Sequence, residues 1–251
     1  MIYDLIAPIY DEVNRDIDYS AWADFVDRII KKEGAEKTSL VLDLGCGTGS
    51  MTFALAKLGY DMTGVDSSAE MLDIARKRRE EICSDKDILW LCQDMTELEL
   101  YGTVEAVVST LDCINHLTSD DEVKKCFSLV HNYLSPDGLF IFDINGKYKF
   151  ENIYSDMTYA MEENGSVCIW QNDYDKESGL CDFYITLFKE GNDGKYTRYD
   201  DEQTERMYTV EQMKSYLVSS GFEFLGAYSD FEFSCGHDGC ERIYFVARCK
   251  K

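Results

Sequence analysis

The chain has 251 residues, of which 45% are hydrophobic and 29% are charged, a composition typical of a soluble globular protein and not of a disordered one. Its 48 acidic residues outnumber its 25 basic residues, which gives a formal net charge of −23. Because a field of this sign repels polyanions, we expect no binding to nucleic acid or to anionic membranes. The one basic run, residues 76–79, is expected to face solvent at a helix end.

Ten cysteines are scattered along the chain, many of them inside apolar runs. The N-terminal residues show no signal-peptide pattern, and no apolar run approaches the ~18 residues needed to cross a bilayer. We therefore expect reduced, mostly buried thiols in a cytoplasmic protein. The length favours one large domain with an insertion, and it leaves open a monomer or a homodimer.

The predicted elements fall into three regions. Residues 1–38 form an N-terminal extension with a helix that begins near Tyr19. Residues 39–146 alternate β-branched strands with amphipathic helices, and residues 207–251 return to a helix and two strands. This alternation indicates βαβ units around a parallel sheet. Residues 147–206 hold alternating runs separated by Asp-, Gly- and Asn-rich turns, which predict an inserted antiparallel sheet.

Within the alternating region the strands are predicted at Leu40–Leu44, Asp61–Asp66, Ile88–Cys92, Val104–Ser109 and Leu139–Ile144. The helices are predicted at Met51–Leu58, Ala69–Ile82 and Asp120–Leu134, the last of them ending in a turn at Ser135–Gly138. In the C-terminal region a helix at Val210–Ser219 precedes strands near Phe222–Phe231 and Arg242–Cys249. These strands belong with the central sheet in an α/β fold.

The most specific motif is Asp43-Leu-Gly-Cys-Gly-Thr-Gly49, in which a buried strand runs into a glycine-rich turn that opens a helix. Glycines at 45, 47 and 49 permit positive φ and let backbone N–H groups approach a ligand. In a parallel sheet such a turn lies at the carboxyl end of the strand, where ligands bind. Its G-x-G-x-G spacing differs from the G-x-G-x-x-G of dinucleotide-binding folds. A tight turn without a ligand is the alternative.

Acidic residues end three successive predicted strands. Asp43 is expected beneath the glycine turn, where its negative charge would repel a pyrophosphate but would suit a ligand with an ammonium group. Asp66 is placed where a carboxylate accepts hydrogen bonds from ribose hydroxyls. Gln93-Asp94 ends the third strand, where a carboxylate can accept a hydrogen bond from an adenine amine. Each acid alone could be a helix cap, but the set predicts a site for a nucleoside with a cationic tail.

The motifs Leu42–Gly49, Gly64–Ser68 with Met71-Leu72, Cys92–Met95 and Leu134–Phe140 together resemble those of the class I S-adenosylmethionine-dependent methyltransferases. The resemblance covers about residues 39–145. It implies a Rossmann-like, doubly wound, seven-stranded mixed sheet whose seventh strand is antiparallel, with S-adenosylmethionine as cofactor. It also implies that the inserted segment 147–206 is a substrate lid.

By the same resemblance, Asp43 and the glycine loop would hold the methionine moiety, Asp66 the ribose, and Asp94 with Met95 the adenine. The N-terminal motifs Tyr3-Asp-x-x-Ala7-x-x-Tyr10-Asp11 and Tyr19-x-x-Trp22 look like a flap over the cofactor. For Trp22, packing of a helix on the sheet is an equal alternative. The cofactor-binding residues implied are Tyr10, Tyr19, Trp22, Asp43, Gly45, Cys46, Gly47, Asp66, Ser67, Met71, Gln93, Asp94, Met95 and Leu111.

The residues facing the methyl group should follow the fourth and fifth strands, in Thr110–His116 and Asp143–Asn145. Alignment of the reactants can supply ~7–11 kcal/mol of the barrier, so a base is needed only if the acceptor must lose a proton. His116 or Asp112 could be that base, although a polar helix start explains both equally well. The insertion holds 7 Lys and Arg against 14 Asp and Glu, which disfavours a nucleic-acid or phosphate-rich acceptor. It permits a small neutral or cationic acceptor, such as an amine, or a protein side chain.

Two other functions stay open. An NAD(P)-dependent oxidoreductase shares the glycine loop and the ribose acid, but the glycine spacing and the lack of Tyr-x-x-x-Lys in the sequence count against it. A non-catalytic nucleoside-binding module would share the same motifs. Cys235-x-His237-x-x-Cys240 resembles half of a zinc site but has no second pair at suitable spacing. We expect a hairpin loop there and no metal.

Overall fold

The computed structural model describes residues 7, 10–11, 14–34, 38–163, 165–191 and 193–251. The strands, in chain order, are β1 (Leu40–Leu44), β2 (Asp61–Asp66), β3 (Leu89–Cys92), β4 (Val104–Ser109), β5 (Leu134–Asn145), β6 (Thr158–Glu163), β7 (Ser166–Asp175), β8 (Leu180–Glu190), β9 (Tyr196–Arg206), β10 (Phe222–Tyr228) and β11 (Arg242–Cys249). The longer helices are α1 (Tyr19–Glu33), α2 (Ser50–Leu58), α3 (Ala69–Ile82), α4 (Asp120–Tyr133) and α5 (Val210–Ser219). Short helical turns lie at Met95–Glu97, Cys113–His116, Lys147–Lys149 and Phe150–Tyr154.

A seven-stranded mixed sheet in the order β10-β11-β5-β4-β1-β2-β3 forms the centre of the molecule. β1 to β5 are parallel to one another, and β11 runs antiparallel to both β5 and β10. The predicted doubly wound, seven-stranded mixed sheet is therefore confirmed, including the antiparallel seventh strand. Among the described residues, no helix is long and apolar enough to span a membrane.

Apolar residues on the two sides of the central strands pack against two layers of helices. On one side, Leu42 and Val107 lie in a core with α4 and α5. On the other, Val41 and Ala106 lie in a core with α1 and α2. Successive side chains of a strand point to opposite faces, and both faces here are covered, which explains why β1 is almost continuously apolar.

Two boundaries differ from the prediction by more than one residue. The turn expected at Ser135–Gly138 is built into β5 as an irregularity, because Val104 pairs with Leu134 and Ala106 with Leu139, so the extra residues of β5 loop out between them. Asp137 takes a positive φ of 61° in that segment. β10 ends at Tyr228 instead of near Phe231, because the Asp230 side chain accepts hydrogen bonds from the backbone of Glu232 and Ser234 and turns the chain.

The second sheet is the predicted antiparallel insertion, a four-stranded meander in the order β6-β7-β8-β9; we call it the inserted sheet. The buried side chains of Ile185 and Leu187 on β8 form a small apolar cluster against which Tyr10 packs. At the end of β9, Arg206 forms an ion pair of 2.8 Å with Asp120 at the start of α4. Tyr208 then donates a hydrogen bond to the carbonyl of Leu117. These contacts hold β9 against the loop that follows β4.

Candidate active site

A cavity of about 310 Å³ opens at the carboxyl ends of the parallel strands, and a smaller one of about 30 Å³ adjoins it. The larger volume is at the lower end of the range of small-molecule sites. The residues shared by the two linings are Tyr10, Gly45, Gly47, Leu111 and Cys113. The edge of the sheet that holds these cavities is the one that sequence motifs had indicated.

The glycine loop after β1 shows why these positions lack side chains. The N–H groups of Gly45 and Cys46 both donate to the carbonyl of Val65, at 2.8 and 2.9 Å, which closes a tight turn against β2. A Cβ on Gly45, whose φ is +81°, would lie 2.5 Å from the sulfur of Cys113. Gly47 has a φ of +52° and faces open space. Its backbone is thus accessible to a ligand in the cavities.

Asp43 lies beneath this loop in the smaller cavity, where it is 1% exposed. Its Oδ2 accepts a hydrogen bond of 2.5 Å from the hydroxyl of Thr52, whereas its buried Oδ1 has no hydrogen-bond partner among the described residues. Burial raises the pKa of the Asp43 carboxyl from 3.8 to about 7. A buried carboxylate oxygen without a donor is costly, so this site fits a ligand that brings a cation or an N–H group.

The acids after β2 and β3 line the larger cavity. Asp66 Oδ2 accepts from the N–H of Gly47 at 2.8 Å, and its Oδ1 accepts from the N–H of Ser68 at 2.9 Å. Asp94 Oδ1 accepts from the N–H and the hydroxyl of Thr96, both at 2.7 Å. Both carboxylates are thus held in place at the cavity wall. Asp94 also caps the helical turn that follows it, as the alternative interpretation expected, whereas α3 is capped by Ser68 and not by Asp66.

Most of the predicted cofactor residues lie together at this site. The larger cavity is lined by Tyr10, Gly45, Gly47, Asp66, Ser67, Met71, Gln93, Asp94, Met95 and Leu111. The smaller cavity adds Tyr19, Asp43 and Cys46. The amide of Gln93 exchanges two hydrogen bonds with the backbone of Glu99, which supports the wall from behind.

Trp22 lines neither cavity. Its buried ring packs edge-on against Tyr244 and Phe231, with centroids 5.2 and 5.7 Å away, and the guanidinium of Arg242 lies 5.5 Å from its centroid. This placement favours the alternative of helix packing for Trp22 over cofactor binding. Tyr3 and Asp4 of the predicted flap motif lie outside the described residues.

The side chain of Asp11 is hydrogen-bonded to the glycine loop. Asp11 Oδ1 accepts from the hydroxyl of Thr48 at 2.7 Å and from Arg78 at 3.0 Å. Arg78 also donates to the hydroxyl of Ser50 at 3.0 Å. The expectation that the basic run faces solvent is therefore wrong for Arg78, which bridges α3, the start of α2 and the N-terminal segment.

A strained turn follows β4 at the base of the larger cavity. Leu111 and Asp112 both have a positive φ, of 60° and 59°, which is unfavourable for residues with a Cβ. The carboxylate of Asp143 holds this turn by accepting from their N–H groups at 2.8 and 3.1 Å. Arg242 pairs with both Asp143 and Asp112, the latter at 2.7 Å. The turn is thus fixed by one ion cluster, in which Asp143 is fully buried and Asp112 and Arg242 are partly exposed.

The two candidate bases have different surroundings. Asp112 lines neither cavity, and although burial alone would raise its pKa, the charges of Arg242 and Lys149 hold the pKa of its carboxyl below its usual value. His116 lines the larger cavity, and burial lowers the pKa of its imidazole, against the opposing effect of Asp112. A neutral imidazole in the cavity can accept a proton, whereas an ion-paired carboxylate is a weak base. Position and charge therefore favour His116.

Glu205 on β9 was not found from the sequence. It is 2% exposed, and burial, followed by the nearby charge of Asp112, raises the pKa of its carboxyl to about 8. One polar atom each of Asp112, His116 and Glu205 lie within 4.8 Å of one another. A buried acid brought from the inserted sheet to the base of the cavity is a feature that no local motif signals.

The segment Cys235–Cys240 forms the loop between β10 and β11. The N–H of Gly239 donates to His237 Nδ1 at 3.1 Å, and the N–H of Cys240 donates to the carbonyl of His237 at 2.9 Å. Within the described part of the chain, the Cys and His side chains of this loop do not come together as a group that could hold a metal ion. The loop conformation is a folded turn, as the sequence favoured.

Comparison with known proteins gives consistent matches along the chain. The sequence profile of a family described as a methyltransferase domain matches residues 41–138. A putative methyltransferase of Geobacillus sp. strain WCH70 is 34% identical over 248 residues, covering 99% of this chain and 100% of the relative. The putative methyltransferase YqeM of Bacillus subtilis strain 168 is 31% identical over 252 residues, covering 100% and 98%. The crystal structure of a S-adenosylmethionine-dependent methyltransferase from Clostridium acetobutylicum ATCC 824 superposes with a TM-score of 0.86 at 28% identity, covering 100% of both chains.

Proposed function

The chain belongs to the class I S-adenosylmethionine-dependent methyltransferases, and we propose that it methylates a small acceptor that carries an amine. The observation that carries this proposal is the charge of the larger cavity. Its lining includes the carboxylates of Asp66, Asp94, Glu122 and Glu202 and contains no Lys or Arg among the described residues. Such a cavity attracts an ammonium group and repels a phosphate or a carboxylate. Family membership also sets aside the oxidoreductase and non-catalytic alternatives.

The residues around the smaller cavity fit the cofactor. The unpartnered oxygen of Asp43 can accept a hydrogen bond from the ammonium group of its methionine moiety, and the bare backbone at Gly47 permits close approach. Asp66 would hold the ribose, and Asp94 with Met95 the adenine. When bound, S-adenosylmethionine supplies a methyl group on a positively charged sulfur.

The acceptor would lie at the side of the larger cavity formed by His116, Glu202 and Gln203. The side-chain oxygen of Gln203 is buried without a hydrogen-bond partner among the described residues, so it can accept from an acceptor N–H group. Glu202 supplies a negative charge that attracts the ammonium form. His116, kept neutral by burial, can take the proton that an ammonium group must lose before its nitrogen becomes a nucleophile.

A methyl-transfer assay with paired acceptors tests this proposal. Labelled S-adenosylmethionine is offered with amines and their hydroxyl counterparts, such as glucosamine with glucose and putrescine with butane-1,4-diol. We expect label in at least one amine and none in its hydroxyl partner, because only the amine meets the charge and hydrogen-bonding pattern of the cavity. Label that appears only in alcohols or carboxylic acids would contradict an amine acceptor.

A charge reversal at Glu202 gives an independent test. We expect Glu202→Lys to raise KM for the amine at least tenfold by placing a cation against the ammonium group, with little change in cofactor affinity. Glu190→Lys is the matched control, because Glu190 is exposed on the same sheet and pairs with Tyr196 at the far end of β9. Equal effects of the two reversals would refute a specific role for Glu202.

A further inference from the structure

We infer that Glu205 is a buried proton acceptor that works behind His116, so that the proton of the amine leaves the cavity through His116 into the inserted sheet. The inference rests on the proposed amine acceptor and goes beyond it by assigning the route of the proton. Glu205 acts through His116 and does not line the cavity, so it is a positioning residue and His116 is the group that meets the acceptor.

The geometry brings the two groups together from separate parts of the fold. His116 ends the helical turn Cys113–His116 after β4, and Glu205 lies near the end of β9. The imidazole of His116 forms a hydrogen bond with the backbone of Thr204, the residue before Glu205. A separation of up to 4.8 Å between the polar atoms is one that a single water molecule can bridge. The two side chains are therefore close enough to exchange a proton.

The surroundings of Glu205 make it a reservoir for one proton. Its carboxyl is held by the Asn145 amide, which donates to Oε2 at 3.3 Å. The charged or titratable groups that act on Glu205 or His116 from the neighbouring elements are Asp112, Lys149, Tyr154, Cys181 and Arg242. Arg242 forms ion pairs with Asp112 and Asp143. Burial is therefore the largest influence on the pKa of the Glu205 carboxyl, and it raises that pKa. A carboxyl group that ionises near pH 8 can take up a proton under ordinary conditions.

The step is balanced without any further reactant. The N–H bond of the ammonium group breaks, its electron pair stays on nitrogen, and the proton passes to the unprotonated ring nitrogen of neutral His116. The imidazolium then gives a proton to the ionised Glu205, which restores the neutral base. The acceptor thereby loses one proton and Glu205 gains one, and Glu205 returns that proton to solvent between turnovers.

The alternative function for the cluster of Asp112, His116 and Glu205 is to bind a divalent cation, and its surroundings disfavour this. Arg242 lies 2.7 Å from Asp112, and the charge of Lys149 acts on both Asp112 and Glu205. Two cations beside the cluster oppose a third positive group there. Addition of a chelator should therefore leave the rate of methyl transfer unchanged. Loss of activity with a chelator, and its recovery with Mg²⁺, would overturn the proposed proton transfer from His116 to Glu205.

Titration of His116 by NMR tests the inference without any acceptor. The chain has three histidines, so the 13C-labelled imidazole resonance of His116 is assigned by its loss in His116→Gln. We expect the wild-type resonance to show a step near pH 8 as Glu205 ionises, and we expect Glu205→Gln to abolish that step. Glu190→Gln, the same change at an exposed site of the sheet, should leave it intact. A His116 resonance that titrates identically in wild type and Glu205→Gln would overturn the inference.

Kinetics supply the second readout. With the amine that reacts fastest in the paired assay, we expect Glu205→Gln to lower kcat at pH 8 at least tenfold without changing KM for S-adenosylmethionine. Glu205→Asp should restore part of the rate. If circular dichroism shows that Glu205→Gln does not fold, Glu205→Asp takes its place in the NMR titration. It must shift the pH at which the His116 resonance shows its step near pH 8, and an unshifted step would overturn the proposed proton transfer from His116 to Glu205. The two proposals can also fail separately. If the His116 resonance shows the Glu205-dependent step but no amine is methylated, the amine acceptor is refuted and the proton transfer from His116 to Glu205 is not.

Discussion

Replacement of Asp43 by asparagine should stabilise the ligand-free protein while it weakens cofactor binding. The amide can still accept the hydrogen bond from Thr52. It carries no charge, so the cost of burying an ionised carboxylate with one unpartnered oxygen disappears. The same substitution removes the negative charge proposed to meet the ammonium group of S-adenosylmethionine, and we expect its affinity to fall at least tenfold.

The magnitude follows from the raised pKa of Asp43. The unfolded chain releases this proton near pH 3.8 and the folded chain near pH 7. Between these values the folded state binds more protons, so wild-type stability falls as the pH rises through 7, and the full cost is about 4 kcal/mol above pH 8. Asparagine does not titrate. The stability advantage of Asp43→Asn should therefore grow by about 2–3 kcal/mol from pH 5 to pH 8, which corresponds to roughly 5–10 °C in Tm.

Thermal melts of both proteins at pH 5 and pH 8, without cofactor, measure this difference. Asp61→Asn, at an exposed acid that begins β2, is the control and should show no pH-dependent gain. Calorimetry of S-adenosylmethionine binding at pH 7, in buffers of different ionisation enthalpy, should show release of about half a proton by wild type and none by Asp43→Asn. A Tm difference that is the same at both pH values, or binding without proton release, would refute the reasoning.

Three further outcomes are expected. Asp66→Ala should weaken S-adenosylmethionine binding at least tenfold, because it removes charged hydrogen bonds worth about 1.5–3 kcal/mol each, and unchanged affinity by calorimetry would contradict the ribose assignment. Arg78→Met should speed limited proteolysis near Asp11 by releasing the N-terminal segment, whereas Arg76→Met, which breaks a surface pair with Asp73, should not. S-adenosylmethionine or its demethylated product should raise Tm and nicotinamide dinucleotides should not, and the opposite pattern would count against the cofactor assignment.

The parts of the fold and the site that could be predicted from the sequence are those written in contiguous residues. The glycine loop follows its strand directly, so Gly45 and Gly47 could be placed at the carboxyl end of the sheet. Asp66 and Asp94 come at the ends of the next two strands, and parallel strands bring such ends to one edge. The alternating runs within residues 147–206 predicted the inserted sheet in the same way.

The parts that could not be predicted depend on which distant elements become neighbours. Glu205 reaches His116 only because β9 packs against the loop after β4. Arg242 reaches Asp112 only because β11 lies beside β5. Arg78 lies in a run of cations that looks like a solvated surface, and only the packing of α3 beside α2 turns it toward Asp11. None of these contacts has a spacing signal in the sequence.

The position of β11 has a consequence for biosynthesis. This last strand in chain order is an interior strand, with β5 on one side and β10 on the other. A ribosome needs on the order of 5–20 s to pass from β5 to β11 at ordinary elongation rates. In that interval Phe140, Ile141 and Phe142 form an open apolar edge that can pair with other nascent chains, and the acid Asp143 lacks its cation. We therefore expect the yield in cells to depend more on chaperone supply during translation than the stability of the finished protein would suggest.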